Sequence, residues 1–390
     1  MKILLYSEYF MPIPGGVQSI VLELAAGLAG WSSQHPGETP IDVTVVTRTT
    51  ETTTEDASLP FRLIRRPKFW RLVRLLRKAD VVHLAGPALL PLAISLAFRK
   101  ALVVEHHGFQ AACPTGLLFY EPEQSACPGY FMARQYGKCM KCQEVEKSAV
   151  SSFRDILTTK IRRMLSNWAS MNIMPTAWLG TVLKLKRMRT VHHGISSGTE
   201  AVSARSNPST FAYHGRIVST KGIAVLICAA KKLKARGCQF HLKIIGDGNE
   251  LATLKSMSSS LSDSVEFLGH VPGEKLDEAL LDVSTVVMPS LGGEVFGLVA
   301  AENMLRGKLL IVSDLGALQE VTGDTGLSFR TGDPEDLVRC MQEVLDQPSM
   351  PASLGAAAHS RVKRLFDRKT MIQKHVRVYQ EAISIERTRA

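Results

Sequence analysis

The sequence predicts an α/β protein of two doubly wound units, and three observations carry that prediction. Short β-branched runs alternate with helical patterns along the chain, as expected of helices laid over parallel sheets. The alternation stops once, in ISSGTEAVSARSNPS (195–209), which is rich in Ser, Gly and Asn and has no apolar period. It then begins again, and 390 residues suffice for two or three domains.

In order, KILLYS (2–7) reads as a strand, YFMPIPGG as a turn and VQSIVLELAAGLA as an amphipathic helix. IDVTVVT (41–47), DVVHLA (80–85), ALVVEH (101–106), MNIMP (171–175) and RTVHH (189–193) complete a first sheet. The expected organisation is a first domain over 1–195 with an insert at 109–150, a linker at 196–209, and a second domain over 210–365. TFAYHG (210–215), FHLKIIG (240–246), VEFLG (265–269), VSTVVMP (283–289) and KLLIVS (308–313) are its strands. Helices are expected over 221–236 and near 249–260. The last forty residues read as two helices, the final one, 366–390, returning to the first domain.

Composition excludes several classes. No stretch reaches the apolar length that spans a bilayer. MKILLYSEYF has Glu8 directly after its apolar run and no small-residue cleavage site, so it reads as a strand rather than a signal peptide. A cytoplasmic protein is expected. Residues 1–195 carry 24 Lys and Arg against 14 Asp and Glu, and the remainder 23 against 22. The basic excess therefore belongs to the first half and points to an anionic partner. Seven cysteines are too few and too scattered for a secreted disulfide scaffold.

The chemistry concentrates at strand-to-helix turns. Gly15 and Gly16 open a helix, where backbone N–H groups make either an anion site or a plain tight turn. In HGRIVSTKG, Gly215 precedes Arg216, and Lys221 follows five residues later, within reach of one diphosphate. Asp247 lies in the GDG turn at a strand's carboxyl end, where α/β sheets bind ligands. VSTVVMPSLGGEVFGLVAAENMLRG (283–307) is a buried strand, a glycine turn and an apolar helix carrying Glu294 and Glu302. The helix is expected over Phe296–Leu305, with Glu294 at the turn and Glu302 eight residues on; counted as helical steps, those eight advance about 12 Å in all and leave the two carboxylates on roughly one side.

Taken in order, YFMPIPGGVQ, GRIVSTKG, IIGDGNE, EVFGLVAAE, and DLGALQEV with TGDPEDL closely resemble the family-four retaining glycosyltransferases of the GT-B fold. The likeness covers most of the chain and is strongest over 210–345. It implies two Rossmann-like domains facing across a cleft, the second holding a nucleotide-sugar. Arg216 and Lys221 would then bind the donor diphosphate and Glu302 the ribose hydroxyls. Glu294 would bind the donor sugar's hydroxyls, while Phe296, Gly297 and Leu298 place backbone N–H groups by sugar and phosphate. Gly16 would approach the diphosphate from the first domain. His107, with His106 as the alternative, matches a family histidine that reaches the donor sugar, although Gly108 stands where many members have Asp. No Asp-x-Asp ends a strand, so no catalytic divalent ion or other cofactor is expected.

Cys113, Cys127, Cys139 and Cys142 resemble an insert of some members. They suit a structural zinc ion or remain thiols, free or paired. FRLIRRPKFWRLVRLLRKAD (61–80) holds eight cations and one acid. Arg71, Arg74 and Arg77 interleave with Phe69, Trp70 and Leu72, which suits either a lipid interface or an ordinary helix with a basic solvated side. The expected function is sugar transfer to a saccharide or lipid-linked acceptor, for a surface polysaccharide or glycolipid, at the inner face of a membrane. A nucleotide-sugar epimerase or glycoside phosphorylase on the same fold is the alternative enzyme. A basic nucleic-acid-binding protein is the alternative of another class, but no recognisable nucleic-acid module accompanies the basic stretches, so no nucleic-acid partner is expected.

Overall fold

A computed structural model describes residues 1–13, 15–143, 147–196 and 206–389. The strands are β1 (Lys2–Ser7), β2 (Asp42–Thr47), β3 (Arg62–Arg65), β4 (Val81–Ala85), β5 (Ala101–Glu105), β6 (Phe119–Tyr120), β7 (Ser125–Ala126), β8 (Met171–Met174) and β9 (Met188–Thr190). They continue with β10 (Asn207–His214), β11 (His241–Ile245), β12 (Val265–Gly269), β13 (Val283–Met288), β14 (Leu309–Ser313) and β15 (Gly326–Phe329).

Two compact units result. The first holds Met1–Gly116, Gly129–Gly194 and Asp367–Ala390, and the second Leu117–Pro128 and Ile195–Phe366. The first sheet runs β3-β2-β1-β4-β5-β8-β9 and the second β12-β11-β10-β13-β14-β15, all parallel. Each is covered on both faces, which explains the near-continuous apolar runs. In β1, Ile3 and Leu5 enter one core and Leu4 and Tyr6 the other, the two-residue period of a strand. In the second sheet, Phe211 and Tyr213 of β10 face one core and Ala212 the other. The final helix, Arg368–Arg389, contributes Met371, Val376, Tyr379 and Ala382 to the core of the first unit.

Three details differ from the sequence reading. Residues 61–80 divide into a strand, which the sequence reading did not mark, and a helix. Arg62–Arg65 is an edge strand paired with β2, and the helix runs only Phe69–Lys78. Arg65 is bound through two nitrogens to Asp56, both at 2.8 Å, so it is no part of a free basic face. The insert at 109–150 is divided, because Leu117–Pro128 belongs to the second unit; there the Gly293 N–H donates to the Leu117 carbonyl at 2.6 Å. Of that insert, 144–146 lie outside the described residues, as do 197–205 of the expected linker, and Asn207 is already strand.

Candidate functional site

The strand order of the second sheet reverses direction between β10 and β13, the point where α/β sheets open a crevice beyond their carboxyl ends. The segments leaving those two strands carry most of the residues singled out from sequence. After β10 come Gly215, exposed Arg216 and, at the end of a short turn Ser219–Lys221, half-buried Lys221. After β13 come Ser290 and Glu294, both buried.

The Lys221 Nζ bonds directly to Glu294 Oε1, and Ser290 Oγ donates to the same oxygen at 3.0 Å. The cation expected on phosphate and the carboxylate expected on sugar thus meet each other across the switch point. Tyr213 donates its hydroxyl to the Arg216 carbonyl at 2.6 Å and fixes the start of that loop. Burial, with a smaller contribution from the charge of Glu294, raises the Tyr213 pKa, so the phenol stays a donor.

Close backbone approach makes the loops glycine-dependent. Gly222 has φ +65° and a Cβ there would stand 2.0 Å from the Pro289 carbonyl oxygen. Gly246 has φ +145° and a Cβ would meet the Gly215 carbonyl oxygen at 1.8 Å. The GDG turn is therefore first a packing requirement: Gly215 N–H bonds to Ile245 O, and Ile217 N–H to Asp247 O. The exposed Asp247 carboxylate accepts from the Gly248 N–H at 2.7 Å.

The helix begins at Leu298, two residues after the expected Phe296, and Glu294 lies in the turn before it. Gly297, at φ +91°, breaks the helical path, so the eight-step estimate of the Glu294–Glu302 separation does not hold. Phe296 is buried and packs edge-on against Phe366, anchoring the turn. The first helical N–H groups, from Leu298 onward, are orphan donors of the kind that anions use. Glu302 is half-buried on this helix, and no described group donates a hydrogen bond to its carboxylate. Burial raises its pKa, with Arg306 opposing.

His214, at the end of β10, is held at a pKa of about 4, chiefly by burial. The unfolded chain therefore takes up this proton first as pH falls, and stability drops from pH 6.5 towards 4. Urea unfolding at pH 7 and pH 5 should show a smaller acid loss in His214→Phe than in the unsubstituted chain.

Gly15, Gly16 and His107 lie in the first unit. Gly15 caps the helix Gly16–Ala29 and both glycines are exposed. His106 is fully buried with Nε2 2.9 Å from Asn172 Oδ1, an interior role that leaves His107 as the more accessible ring. His107 Nε2 lies 3.6 Å from Glu105 Oε2. Cys113, Cys139 and Cys142 fall in the first unit and Cys127 in the second. Arg71, Arg74 and Arg77 are exposed on Phe69–Lys78, beside exposed Phe69 and Trp70, while Leu72 and Leu76 are buried. Sequence reasoning missed Ser290 and Tyr213; a hydroxyl at the end of an apolar strand and a tyrosine inside one were the available signals.

Residues 199–361 match the family model of the glycosyl transferases group 1. The phosphatidyl-myo-inositol mannosyltransferase of Mycolicibacterium smegmatis is 32% identical over 162 residues, 41% of this chain and 42% of that protein. The chain therefore matches about two fifths of that relative's length. Among solved structures, sucrose-phosphate synthase from Thermosynechococcus elongatus superposes with a TM-score of 0.71 at 20% identity, covering 98% of this chain and 99% of that one. Anabaena HepE in complex with UDP and glucose gives 0.66 at 16% identity, covering 97% and 98%. The chain thus has the GT-B fold of these structures, and its residues 199–361 are similar to the glycosyl transferases group 1.

Proposed function

We propose that this chain is a retaining glycosyltransferase that moves a sugar from a nucleoside-diphosphate donor to a hydroxyl of a saccharide or lipid-linked acceptor. The observation that carries this reading is the Lys221–Glu294 pair at the β10/β13 switch point, with Arg216 on the same loop. As the glycosidic bond breaks, negative charge collects on the departing diphosphate and positive charge on the sugar. Arg216, Lys221 and the helix N-terminus at Leu298 stabilise the first, and Glu294 accepts hydrogen bonds from the sugar. Lys221 leaves Glu294 for phosphate as the donor enters, so both charges stay compensated. Glu302, without a hydrogen-bond donor among the described residues, takes the ribose hydroxyls. Asp247, Gly215 and Phe296–Leu298 shape the donor pocket.

The reaction proceeds without a catalytic divalent ion, since the cations already present offset the leaving charge. Rates with and without added Mg²⁺ or Mn²⁺ should be equal. The donor is supported by HepE, whose structure holds UDP and glucose. A lipid acceptor is supported by the mannosyltransferase named for phosphatidyl-myo-inositol. Thermal-shift screening against UDP-, GDP-, ADP- and dTDP-sugars tests the reading, followed by NMR of the product's anomeric configuration. Stabilisation by none of them, or an inverted product, overturns it.

We place the enzyme in the cytoplasm, on an anionic membrane surface, in surface polysaccharide or glycolipid synthesis. Among the described residues no helix is long and apolar enough to cross a membrane. Beside Arg71, Arg74 and Arg77, the helix Ala149–Trp168 exposes Val150, Phe153, Leu157, Met164 and Trp168 at helical spacing, interleaved with Arg154 and Lys160. An exposed apolar stripe with flanking cations suits a headgroup layer. Neutralising Arg71, Arg74 and Arg77 to Gln should reduce flotation with anionic liposomes several-fold. Unchanged flotation removes the membrane role.

A further inference from the structure

The first unit buries one carboxylate among four imidazoles. Glu105, the last residue of β5, is 1% exposed. Its Oε2 lies 3.1 Å from His83 Nε2, 3.4 Å from His375 Nε2 and 3.6 Å from His107 Nε2, while its Oε1 lies 3.6 Å from His193 Nδ1. His83 belongs to β4 and His375 to the final helix, so three separate elements converge on one oxygen.

The remaining ring nitrogens constrain the protonation. His375 Nδ1 lies 2.9 Å from the Met371 carbonyl oxygen, which can only accept, so Nδ1 carries the proton. In a neutral ring, His375 Nε2 then turns a bare lone pair towards a carboxylate. Two electron-rich atoms repel at that distance unless a cation lies between them. His83 Nδ1 is held 2.9 Å from the Tyr379 hydroxyl, which likewise turns Nε2 towards Glu105. His83 Nε2, His107 Nε2 and Glu105 Oε1 are buried and have no hydrogen-bond partner among the described residues. Buried polar atoms of native proteins rarely go unpaired unless a water or an ion serves them.

The spacing fits an ion. Metal–nitrogen bonds of 2.0–2.1 Å in a tetrahedron place neighbouring ligand atoms about 3.3 Å apart. The 3.1 and 3.4 Å separations straddle that value. The ligand atoms of His83, Glu105 and His375 all lie within 4.8 Å of one another. We propose that these three residues bind a divalent transition-metal ion of the zinc class, with the fourth position left to water. Two imidazoles and one carboxylate favour Zn²⁺ or its first-row neighbours over Mg²⁺ or Ca²⁺. Tyr379 and the Met371 carbonyl are the outer partners that orient the rings. The ion would tie the final helix to β4 and β5, a structural role separate from the metal-free sugar transfer proposed above.

The test uses the full chain reconstituted with Zn²⁺ or Co²⁺ and dialysed against metal-free buffer. About one ion per chain should remain at this site, with an X-ray absorption shell of nitrogen and oxygen near 2.0–2.1 Å rather than sulfur at 2.3 Å. The Co²⁺ form should show weak d–d bands. Cys139→Ser with Cys142→Ser should leave that signal in place, whereas His83→Gln and His375→Gln should each abolish it. Added Zn²⁺ should raise the melting temperature of the unsubstituted chain but not of those two variants. A sulfur-only shell, or no retained ion, overturns the proposal without recourse to a variant. So does equal retention by His83→Gln and His375→Gln.

Discussion

Arg216→Ala combined with Lys221→Ala should lower sugar-transfer turnover by about 10³-fold or more, since a single preorganised charge aimed at a leaving group is worth about 10²–10³. The two positions differ in what else they do. Arg216 is exposed, so its loss alone should shift stability by no more than about 0.5 kcal/mol. Lys221 is the ion-pair partner of buried Glu294, and removing it leaves that carboxylate, among the described residues, with the Ser290 hydroxyl as its one hydrogen-bond partner. Breaking such a pair is costly to the fold. A control separates the two effects. Adding Glu294→Gln to Lys221→Ala removes the stranded charge and should restore the melting temperature, which isolates the cost to the fold; turnover stays low because Glu294 is itself placed on the donor sugar. If turnover recovers together with stability, Lys221 serves packing and not the leaving group.

Glu302→Gln should weaken donor binding by about 10- to 100-fold, the equivalent of the roughly 1.5–3 kcal/mol of a hydrogen bond to a charged acceptor. The same change should leave stability unchanged or raise it. Burial holds the Glu302 carboxyl above the ordinary glutamate value, so its ionisation costs the folded state. In linkage terms the unfolded chain loses this proton first, and the stability it contributes at low pH disappears as pH rises through the raised pKa. Gln carries no such charge. Calorimetric titration with the preferred nucleotide-sugar and a melting curve together decide the matter. Weaker binding with an undiminished melting temperature fits a ligand-facing carboxylate; unaltered affinity removes Glu302 from the donor site.

The sheets were legible in the sequence because burial on both faces writes strands as apolar runs, as in VSTVVM and KLLIVS. The edge strands Arg62–Arg65 and Gly326–Phe329 were not, since an edge needs less apolar surface and Arg62–Arg65 reads only as part of a basic stretch. Arg216, Lys221, Glu294 and Glu302 were named from their places after strands and from family likeness. Sequence carried no sign that Lys221 and Glu294 bond to each other, because 73 residues separate them. The helix, read from Phe296, starts two residues later at Leu298, because Gly297 lies outside the helical path, a backbone property invisible to apolar periodicity. The Glu105 cluster was half visible: EHH was read for its histidines, while the carboxylate went unremarked and His375 lay 270 residues away.

The placement of Arg368–Arg389 in the first unit bears on how the polypeptide matures. Its Met371, Val376, Tyr379 and Ala382 cover the face that Ile3, Leu5 and Val103 present. During translation that face is covered only in part, by Val21, Leu24 and Leu28, until residues 368–389 emerge after the second sheet has left the ribosome. A chain stopped before residue 367 would leave part of the apolar side of its first sheet exposed, so the first unit completes its core only after the second has been made.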